Sequence, residues 1–299
     1  MLDHLKHTVA RFIYRRYRKV KTYFLNRPPS LLSACFFRLL RVADKIMASR
    51  KKSDNESVGT FVFKQLYLDR YKSSPFRLGT DAPVAVESDD HKWPRGTIND
   101  NHRNYNFNLK LYHHFGNAPD LRHMDLGCSG GALVRSFLED GYEAIGLEGS
   151  DVSKKLRSAE WGVIPHHLFT CDISKPFRVT KSDGTPATFH CISAWEVLEH
   201  IPESTLDDMI RNIYNHLEPN GIFVGSVDCL PDGDPLSGAV YHVTLHGRDW
   251  WEQRFAAQGL VPVSKTIFAV EDFVRGHGRG LKDWDPADGD GFHLVMRKR

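Results

Sequence analysis

The sequence has few cysteines, and none of them are spaced as metal or disulfide pairs. Five cysteines occur among 299 residues, and no two of them form a Cys-x-x-Cys pair. An odd number without paired spacing argues against a disulfide framework and against a zinc site. A reducing compartment is the natural setting for such a chain, so we expect a cytoplasmic protein.

Long hydrophobic runs are also missing. The apolar run at residues 31–37 is interrupted by Arg38, and a membrane-spanning helix needs roughly 18 apolar residues. The basic region continues past this run, which does not fit a cleavable signal peptide. We therefore expect a soluble protein, or one held peripherally on the inner face of the membrane.

Acidic residues are scarce at the amino terminus. Residues 1–52 contain two acids and 14 Lys or Arg, whereas the rest of the chain contains 35 acids and 26 Lys or Arg. Apolar residues recur at helical spacing over 8–25 with basic residues around them, and a second helix is predicted over 30–47. We interpret residues 1–52 as a basic amphipathic helical extension that binds an anionic membrane surface. One alternative is that these helices pack on the rest of the protein. Another is that their basic residues bind nucleic acid, although the sequence contains no base-reading module.

The rest of the chain divides into a lead-in and a core domain. Residues 53–117 are polar and aromatic, and we interpret them as a lead-in or cap with one helix over 104–115. In the core domain, 118–299, short apolar strands alternate with helices, which predicts an α/β fold with a doubly wound, mostly parallel sheet. The predicted strands are 121–125, 143–148, 166–170, 189–194, 221–227, 262–268 and 292–298, and the predicted helices are 130–140, 151–158, 203–217 and 247–258.

A glycine-containing turn follows the first core strand. The stretch HMDLGCSGGALVRSFLEDGYEAIGLEGSD, residues 123–151, places Gly127, Gly130 and Gly131 between two apolar runs. Glycine permits positive φ and a close approach of a ligand, and the following helix presents its first N–H groups to that ligand. Glu148 ends the second strand, where its carboxylate is able to accept hydrogen bonds from both ribose hydroxyls. We therefore expect a ligand that carries a ribose on an adenine base.

The turn distinguishes between two classes of such ligands. The nicotinamide fingerprint is Gly-x-Gly-x-x-Gly, but Ser129 stands at its second glycine. The run from Asp125 to Gly131 instead resembles the first motif of class I S-adenosylmethionine-dependent methyltransferases, an acid followed by Gly-x-[Gly/Ser]-x-Gly. The segments FTCDIS, CISAWEVLEHIPE and HLEPNGIFVGS continue this resemblance in order along residues 105–299. It implies a seven-stranded, Rossmann-like methyltransferase fold with S-adenosyl-L-methionine as cofactor.

The resemblance also implies the residues that hold the cofactor. Asp172 stands where the family contacts the adenine amino group, and Ile173 stands beside the ring. A solvated strand end at Glu148 and a turn cap at Asp172 are the structural alternatives. The predicted cofactor-binding residues are Asp125, Gly127, Cys128, Ser129, Gly130, Gly131, Glu148, Gly149, Asp172, Ile173, Ala194 and Trp195.

Histidines mark the predicted acceptor end. Methyl transfer from a sulfonium needs alignment and exclusion of water, and an oxygen acceptor must also lose its proton. The acceptor is expected to face the end of the fourth strand, where His200 lies. A general base or acceptor ligand is therefore predicted among His200, His242 and His246.

The run Glu-x-x-Glu-His at residues 196–200 permits a second interpretation. It resembles the run of small-RNA 3′-end 2′-O-methyltransferases and of quinone-pathway O-methyltransferases, where it is associated with magnesium. A helical turn would place Glu196, Glu199 and His200 on one face, and His242 would complete a site for Mg²⁺ or Mn²⁺. The alternative is that the acids order the loop while His200 lines the acceptor pocket.

Two segments are predicted to close over the site. The first precedes the core, and the second is the glycine- and aspartate-rich connection before the last strand. The alternative for the second segment is a disordered connection. The candidate residues are Trp93, Arg95, Asn101 and Arg103 in the first segment, and Arg275, His277, Arg279 and Trp284 in the second.

These observations favour an O-methyltransferase. The histidines favour an oxygen acceptor, and the basic extension favours a saccharide or lipid-linked glycan presented at a membrane surface. The WPRGT and VTLHGRDWW segments are similar to those of bacterial methyltransferases of surface-polysaccharide biosynthesis. The alternatives are an RNA ribose 2′-O-methyltransferase with a divalent metal, and a non-catalytic scaffold that retains the cofactor fold.

Overall fold

The structure is a computed structural model that describes residues 73–277, 286 and 289–299. The predicted extension 1–52 lies outside the described residues, as does the first part of the lead-in. No helix among the described residues is long and apolar enough to cross a membrane.

Eleven strands are found in the part of the chain that the structure describes. They are β1 (Phe76–Thr80), β2 (Arg122–Leu126), β3 (Glu143–Glu148), β4 (Leu168–Thr170), β5 (Phe177–Lys181), β6 (Phe189–Trp195), β7 (Leu217–Asp228), β8 (Gly233–Asp234), β9 (Ala239–Val240), β10 (Leu260–Pro262) and β11 (Gly291–Lys298). The helices of the same residues are α1 (Asp89–Lys92), α2 (Arg95–Asn99), α3 (Tyr105–His114), α4 (Ala132–Glu139), α5 (Val152–Leu156), α6 (Leu206–His216) and α7 (Arg248–Ala257). Short 3₁₀ turns occupy Ala159–Gly162, Leu198–His200 and Val270–Asp272.

Seven strands form the central sheet, in the order β10-β11-β7-β6-β2-β3-β4. Neighbouring strands from β7 to β4 are parallel, and β11 alone runs antiparallel to both of its neighbours. The chain order changes direction at β2, since β3 and β4 extend the sheet on one side and β6 and β7 on the other. The predicted fold class is confirmed: α/β, doubly wound and mostly parallel, with seven strands.

The central strands are apolar because the parallel sheet buries them. Strand β6 is buried at every residue except His190, as expected for a parallel strand covered on both faces. Its Ile192 packs in one cluster with Met124 of β2 and Phe223 of β7. The helices contribute one face each, such as the buried Met209 and Ile213 of α6. This core fixes the strand ends from which the site is built.

The prediction of a strand over 262–268 is wrong. The strand is β10, which ends at Pro262, and one further backbone bond, Val263 N to Val295 O, follows it. Phe268 at the end of this stretch makes a different contact, because its ring stacks on Phe107 with centroids 5.2 Å apart. The hydrophobicity of Phe268 therefore reflects packing against α3 rather than membership of the sheet.

Elements that sequence patterns did not predict surround the carboxyl ends of the strands. Strands β1 and β5 pair antiparallel as a separate two-stranded sheet, and β8 and β9 form a short hairpin. Helices α1 and α2 lie in a stretch rich in Asn, Gly and Pro for which no regular structure was predicted. Of these additions, α1, α2 and Val240 of β9 contribute residues to the wall of the cavity described below.

Candidate active site

The turn between β2 and α4 depends on glycine at two positions. Gly127 has φ +67°, and a Cβ built there would lie 2.4 Å from Cγ2 of Val197. Gly131 precedes α4 with φ +88°, and a Cβ there would lie 2.7 Å from Cδ1 of Leu168. Side chains are therefore excluded both by backbone conformation and by space. The missing side chains let the turn pack closely against Val197 and Leu168, and Gly127 lines the cavity beside them.

Glu148 lies at the adjacent strand tip and faces the same cavity. Its Oε2 accepts the N–H of Ser129 at 2.8 Å, and its Oε1 accepts the N–H of Ser150 at 3.2 Å. The Thr97 hydroxyl is 3.4 Å from Oε1. A carboxylate has about four acceptor positions, so capacity remains for a ligand hydroxyl. Burial raises the pKa of Glu148, and the backbone N–H donors from Ser150 and Ser129 oppose that rise.

A cavity of about 1110 Å³ joins these groups. It is large enough for a cofactor and part of a second molecule, since single ligand pockets are commonly about 300–1,000 Å³. Nine of the twelve predicted cofactor residues line the cavity: Asp125, Gly127, Cys128, Ser129, Glu148, Gly149, Asp172, Ile173 and Trp195. The other three, Gly130, Gly131 and Ala194, do not line it.

Asp172 does two things in the structure. Its Oδ1 accepts the Ser174 N–H at 3.0 Å and the Ser174 hydroxyl at 2.6 Å, so it caps the turn after β4. The residue also lines the cavity beside Ile173. The turn cap and a contact to adenine are therefore compatible, because Ser174 uses only one of the two carboxylate oxygens.

Asp125 and Cys128 are held from behind the cavity. The Ser193 hydroxyl donates to Asp125 at 2.6 Å and lies 2.9 Å from Nε2 of His123. Burial raises the pKa of Asp125 to about 7. Burial also raises the pKa of the Cys128 thiol, which fits a small loop residue rather than a nucleophile.

The lead-in segment covers the glycine turn from outside. Asp100 O accepts the Gly130 N–H at 3.1 Å and the Ser129 hydroxyl at 2.5 Å. Asn101 Oδ1 accepts the first N–H of α4, from Ala132, at 2.8 Å, so this predicted closing residue is at the turn. Its Oδ1 also occupies the space where a Cβ on Gly130 would lie. Gly130 therefore accommodates the lead-in.

Three ligand-type side chains converge at the other end of the cavity. One donor atom from each of Glu199, His200 and His242 lies within 4.8 Å of the other two. Glu199 Oε1 accepts the Asp228 N–H at 2.9 Å, while its Oε2 is buried and has no hydrogen-bond partner. A buried carboxylate oxygen of this kind requires a cation or donor. The arrangement fits a divalent metal ion.

The two imidazoles are oriented by their Nδ1 atoms. His200 Nδ1 lies 2.7 Å from Asp90 Oδ2 of α1, and His242 Nδ1 contacts the carbonyl of Leu230. Such partners fix a ring and direct Nε2 toward a metal or substrate. Asp90 escaped the sequence-based prediction because it precedes His200 by 110 residues and no motif contains it.

The charges at this end follow from the same contacts. Burial lowers the pKa of His200, but the hydrogen bond and charge of Asp90, together with Glu199, raise it to about 9. Burial raises the pKa of Glu199 to about 7. Burial and the neighbouring His200 lower the pKa of His242. In the absence of a metal these shifts favour the imidazolium form of His200 and the neutral form of His242.

The predicted helical face is wrong for Glu196. Its φ of +53° lies outside the helical region, and the 3₁₀ turn begins only at Leu198. Glu196 instead forms an ion pair with Arg275, which also binds Asp100 Oδ2 at 2.5 Å. It lines the cavity but is absent from the cluster of Glu199, His200 and His242.

His246 does not join the other two histidines. Its Nε2 lies 3.3 Å from Glu203 Oε2, and its ring stacks on Trp250 with centroids 3.9 Å apart. It is absent from the cavity wall. The sequence placed it four residues from His242, but the chain turns away at Thr244, which donates to the Ile201 carbonyl.

The other predicted closing residues have mixed positions. Arg95 and Arg275 line the cavity, and Arg95 forms an ion pair with Asp232 at 2.9 Å. Trp93 is exposed beside it, whereas Arg103 stacks on Tyr105 away from the cavity wall. Arg279 and Trp284 lie outside the described residues, and His277 does not line the cavity.

Known proteins resemble the chain over this part of the fold. A family model described as a methyltransferase domain matches residues 100–268. The ubiquinone biosynthesis O-methyltransferase of Azoarcus sp. (strain BH72) is 32% identical over 89 residues, which are 28% of this chain and 35% of that protein. The chain therefore matches about a third of the length of this curated relative.

Two solved structures show how low the TM-scores and sequence identities to this chain are. Magnesium protoporphyrin IX methyltransferase from Synechocystis PCC 6803 gives a TM-score of 0.44 at 13% identity, over 72% of this chain and 99% of that chain. An amino pentose methyltransferase from Micromonospora echinaspora gives 0.44 at 16% identity, over 74% and 100%. Similarities of this size transfer no acceptor to this chain.

Proposed function

We propose that this chain, which belongs to the methyltransferase-domain family, transfers the methyl group of S-adenosylmethionine to a hydroxyl of its acceptor. The family match agrees with the resemblance of the glycine turn and the three later motifs. One observation carries the proposal: the bare turn at Gly127 and the carboxylate of Glu148 face one cavity, which also contains His200 and His242.

In this proposal the strand tips bind the cofactor. Glu148 accepts the ribose hydroxyls with the acceptor capacity that its protein donors leave. Asp172 and Ile173 contact the adenine, and the turn at Gly127 gives the methionine part its close approach to the backbone. The cofactor supplies an electrophilic methyl group, and the cavity aligns it with the acceptor.

The acceptor lies at the end of β6 in this proposal. We assign His242 to the acceptor proton, because its neutral ring lies in the cavity wall and its Nδ1 is held by Leu230. His200, fixed by Asp90, orients the acceptor oxygen. A hydroxyl of a saccharide or of a lipid-linked glycan fits these polar groups, and the basic extension 1–52 would bring the enzyme to a membrane surface.

A divalent cation is the alternative to this histidine base. Glu199, His200 and His242 would be its ligands, and Glu196 would not. Mg²⁺ prefers oxygen ligands, whereas two imidazoles favour Mn²⁺ or a softer ion. Such an ion lowers the pKa of a hydroxyl bound to it, in which case the imidazoles bind metal and do not move the proton.

Methyl-labelled S-adenosylmethionine tests the function. The purified protein is incubated with glycan, lipid, RNA and small-molecule fractions of the cell, and the labelled fraction is identified. Label in a saccharide-containing fraction supports the proposal. Label in RNA ribose would support the 2′-O-methyltransferase alternative, and cofactor binding without transfer to any fraction would support a scaffold.

A further inference from the structure

Exposed apolar side chains are concentrated around the acceptor end of the cavity. Four of them line the cavity wall itself, on the segments before α1 and after β7, and two more extend this surface outward. We call the six the apolar rim: Val86, Leu230, Val240 and Val243 in the wall, with Trp93 and Leu236 outside it. Leu236, between β8 and β9, is 96% exposed, so the described residues leave it almost uncovered.

Polar contacts hold the two rim segments together. Asp89 Oδ2 accepts the Val240 N–H at 2.9 Å, and the Tyr241 hydroxyl donates to the Trp93 carbonyl at 3.1 Å. The Arg95–Asp232 ion pair closes the same contact. The rim is therefore one built surface, and it is continuous with the pocket of His200 and His242.

The charge of these segments is strongly one-sided. Arg95 is the only Lys or Arg that they contribute to the cavity wall, and Asp232 already pairs with it. These segments, with α1 and the end of β7, contribute six acids to the same wall: Asp81, Glu87, Asp89, Asp90, Asp228 and Asp232. Asp89 pairs with Lys92, and Asp90 pairs with His200. The excess negative charge of these segments is therefore on Asp81, Glu87 and Asp228. An anionic molecule entering over these acids would meet like charges in a partly desolvated cleft, where repulsion is stronger than in water.

We propose that the methyl acceptor is an amphipathic molecule without negative charge, whose polar head lies at His200 and His242 and whose apolar part lies on the apolar rim. This inference rests on the proposed function, and it narrows the acceptor class. It selects a neutral or cationic head, such as a glycoside with an apolar aglycone. It excludes RNA and phosphate-linked glycans.

Continuity with the pocket decides the occupant. Four rim residues line the cavity that contains the histidines, so an acceptor bound at the histidines is within reach of their apolar surface. An anionic bilayer would meet the same excess negative charge, and repulsion would oppose docking.

Binding of three twelve-carbon amphiphiles tests the proposal. Dodecyl maltoside, dodecyltrimethylammonium and dodecyl phosphate are titrated into the full chain by calorimetry, below their micelle-forming concentrations. We expect dodecyl phosphate to bind at least tenfold more weakly than the other two. We expect Leu236→Ser/Val240→Ser to weaken dodecyl maltoside at least tenfold, because both apolar contacts are lost. Leu156→Ser, at a 64% exposed apolar position outside the cavity wall, is the matched control and is expected to bind like the unmodified chain.

The outcomes separate this inference from the function it rests on. Each preparation is also titrated with S-adenosylmethionine. If S-adenosylmethionine binds but the rim variant and the Leu156→Ser control bind dodecyl maltoside equally, the inference is overturned and the proposed function stands. Preferred binding of dodecyl phosphate overturns the inference as well.

Loss of self-association in the rim variant, with unchanged amphiphile affinity, would assign the rim to a second copy of the chain. Absence of S-adenosylmethionine binding would contradict the proposed function itself.

Discussion

Alanine at Gly127 tests a steric clash separately from the cost of positive φ. At Gly127 alanine would adopt positive φ and its Cβ would also lie 2.4 Å from Cγ2 of Val197. Alanine at Gly184 would adopt a similar φ of +84°, but with open space around its Cβ. The left-handed conformation costs about 1–2 kcal/mol at either position. We predict that Gly127→Ala weakens S-adenosylmethionine binding more than tenfold and that Gly184→Ala leaves it unchanged, measured by calorimetry. Equal affinities in the two variants would remove the turn from the cofactor site.

His123 gives the protein a predicted sensitivity to acid. Complete burial lowers its pKa from 6.5 to about 3, so the fold requires the neutral ring. The stabilisation is fully present above pH 6.5 and is lost as the pH falls toward 3. We predict that the unmodified chain loses stability faster than His123→Leu between pH 6.5 and 4, by up to about 1.4 kcal/mol per pH unit.

Urea unfolding at a series of pH values measures this difference. The variant keeps the Ser193–Asp125 hydrogen bond, which does not need the imidazole. His166→Gln, at an exposed position, controls for histidine substitution in general. Parallel pH profiles for the unmodified chain and His123→Leu would contradict the assignment.

Single residues were predictable where a motif fixes them to a strand tip. Glu148 was predicted because it ends an apolar strand 21 residues after Gly127, and the structure places both in one cavity wall. Asp90 was not predictable, since its contact with His200 joins segments that no local pattern relates. Glu196 was misplaced because helical spacing was assumed where the backbone takes φ +53°.

Helix α1 connects the lead-in to the chemistry of the core. Asp90 on this helix orients His200, and a carboxylate behind a metal-binding imidazole typically changes metal affinity 10- to 100-fold. We predict that Asp90→Asn weakens Mn²⁺ binding by about that factor, while S-adenosylmethionine affinity stays the same. Calorimetric titration with Mn²⁺ measures the effect.

Asp208→Asn is the matched control for that titration. Asp208 is an exposed helix acid that pairs with Arg211, and its replacement removes a carboxylate without touching the cluster. If both variants bind Mn²⁺ as the unmodified chain does, α1 has no part in a metal site. If Glu199→Ala also leaves Mn²⁺ binding unchanged, the site itself is wrong.

Strands buried on both faces were predictable from the sequence, whereas short strands outside the central sheet were not. Strands β2, β3 and β6 are buried at every position but one each, because the parallel sheet is covered on both faces. The β1–β5 pair carries alternating or polar residues and gains its order from a partner about 100 residues away. In the false strand at 262–268, Phe268 packs on α3, and hydrophobicity alone does not distinguish these causes.

At the scale of the whole molecule, the charge asymmetry of the chain remains a prediction. The basic extension 1–52 lies outside the described residues, and we propose that it binds an anionic bilayer. Replacement of Arg11, Arg15, Arg16 and Arg18 by Gln in the full chain should abolish sedimentation with vesicles of 70% phosphatidylcholine and 30% phosphatidylglycerol. Each basic residue near the membrane surface contributes about 1 kcal/mol to the free energy of membrane binding. Undiminished sedimentation would assign the extension another role.

The position of the cavity also follows from the whole fold, since it lies where the strand order reverses at the carboxyl ends of β2 and β6. Calorimetric titration with S-adenosylmethionine tests this account most directly, on the unmodified chain, on Glu148→Gln and on Glu143→Gln at the exposed start of the same strand. We predict saturable binding that Glu148→Gln weakens on the order of 10- to 100-fold, as for a lost charged hydrogen bond, and that Glu143→Gln leaves intact. Equal affinity of all three proteins, or no binding to any, would contradict it.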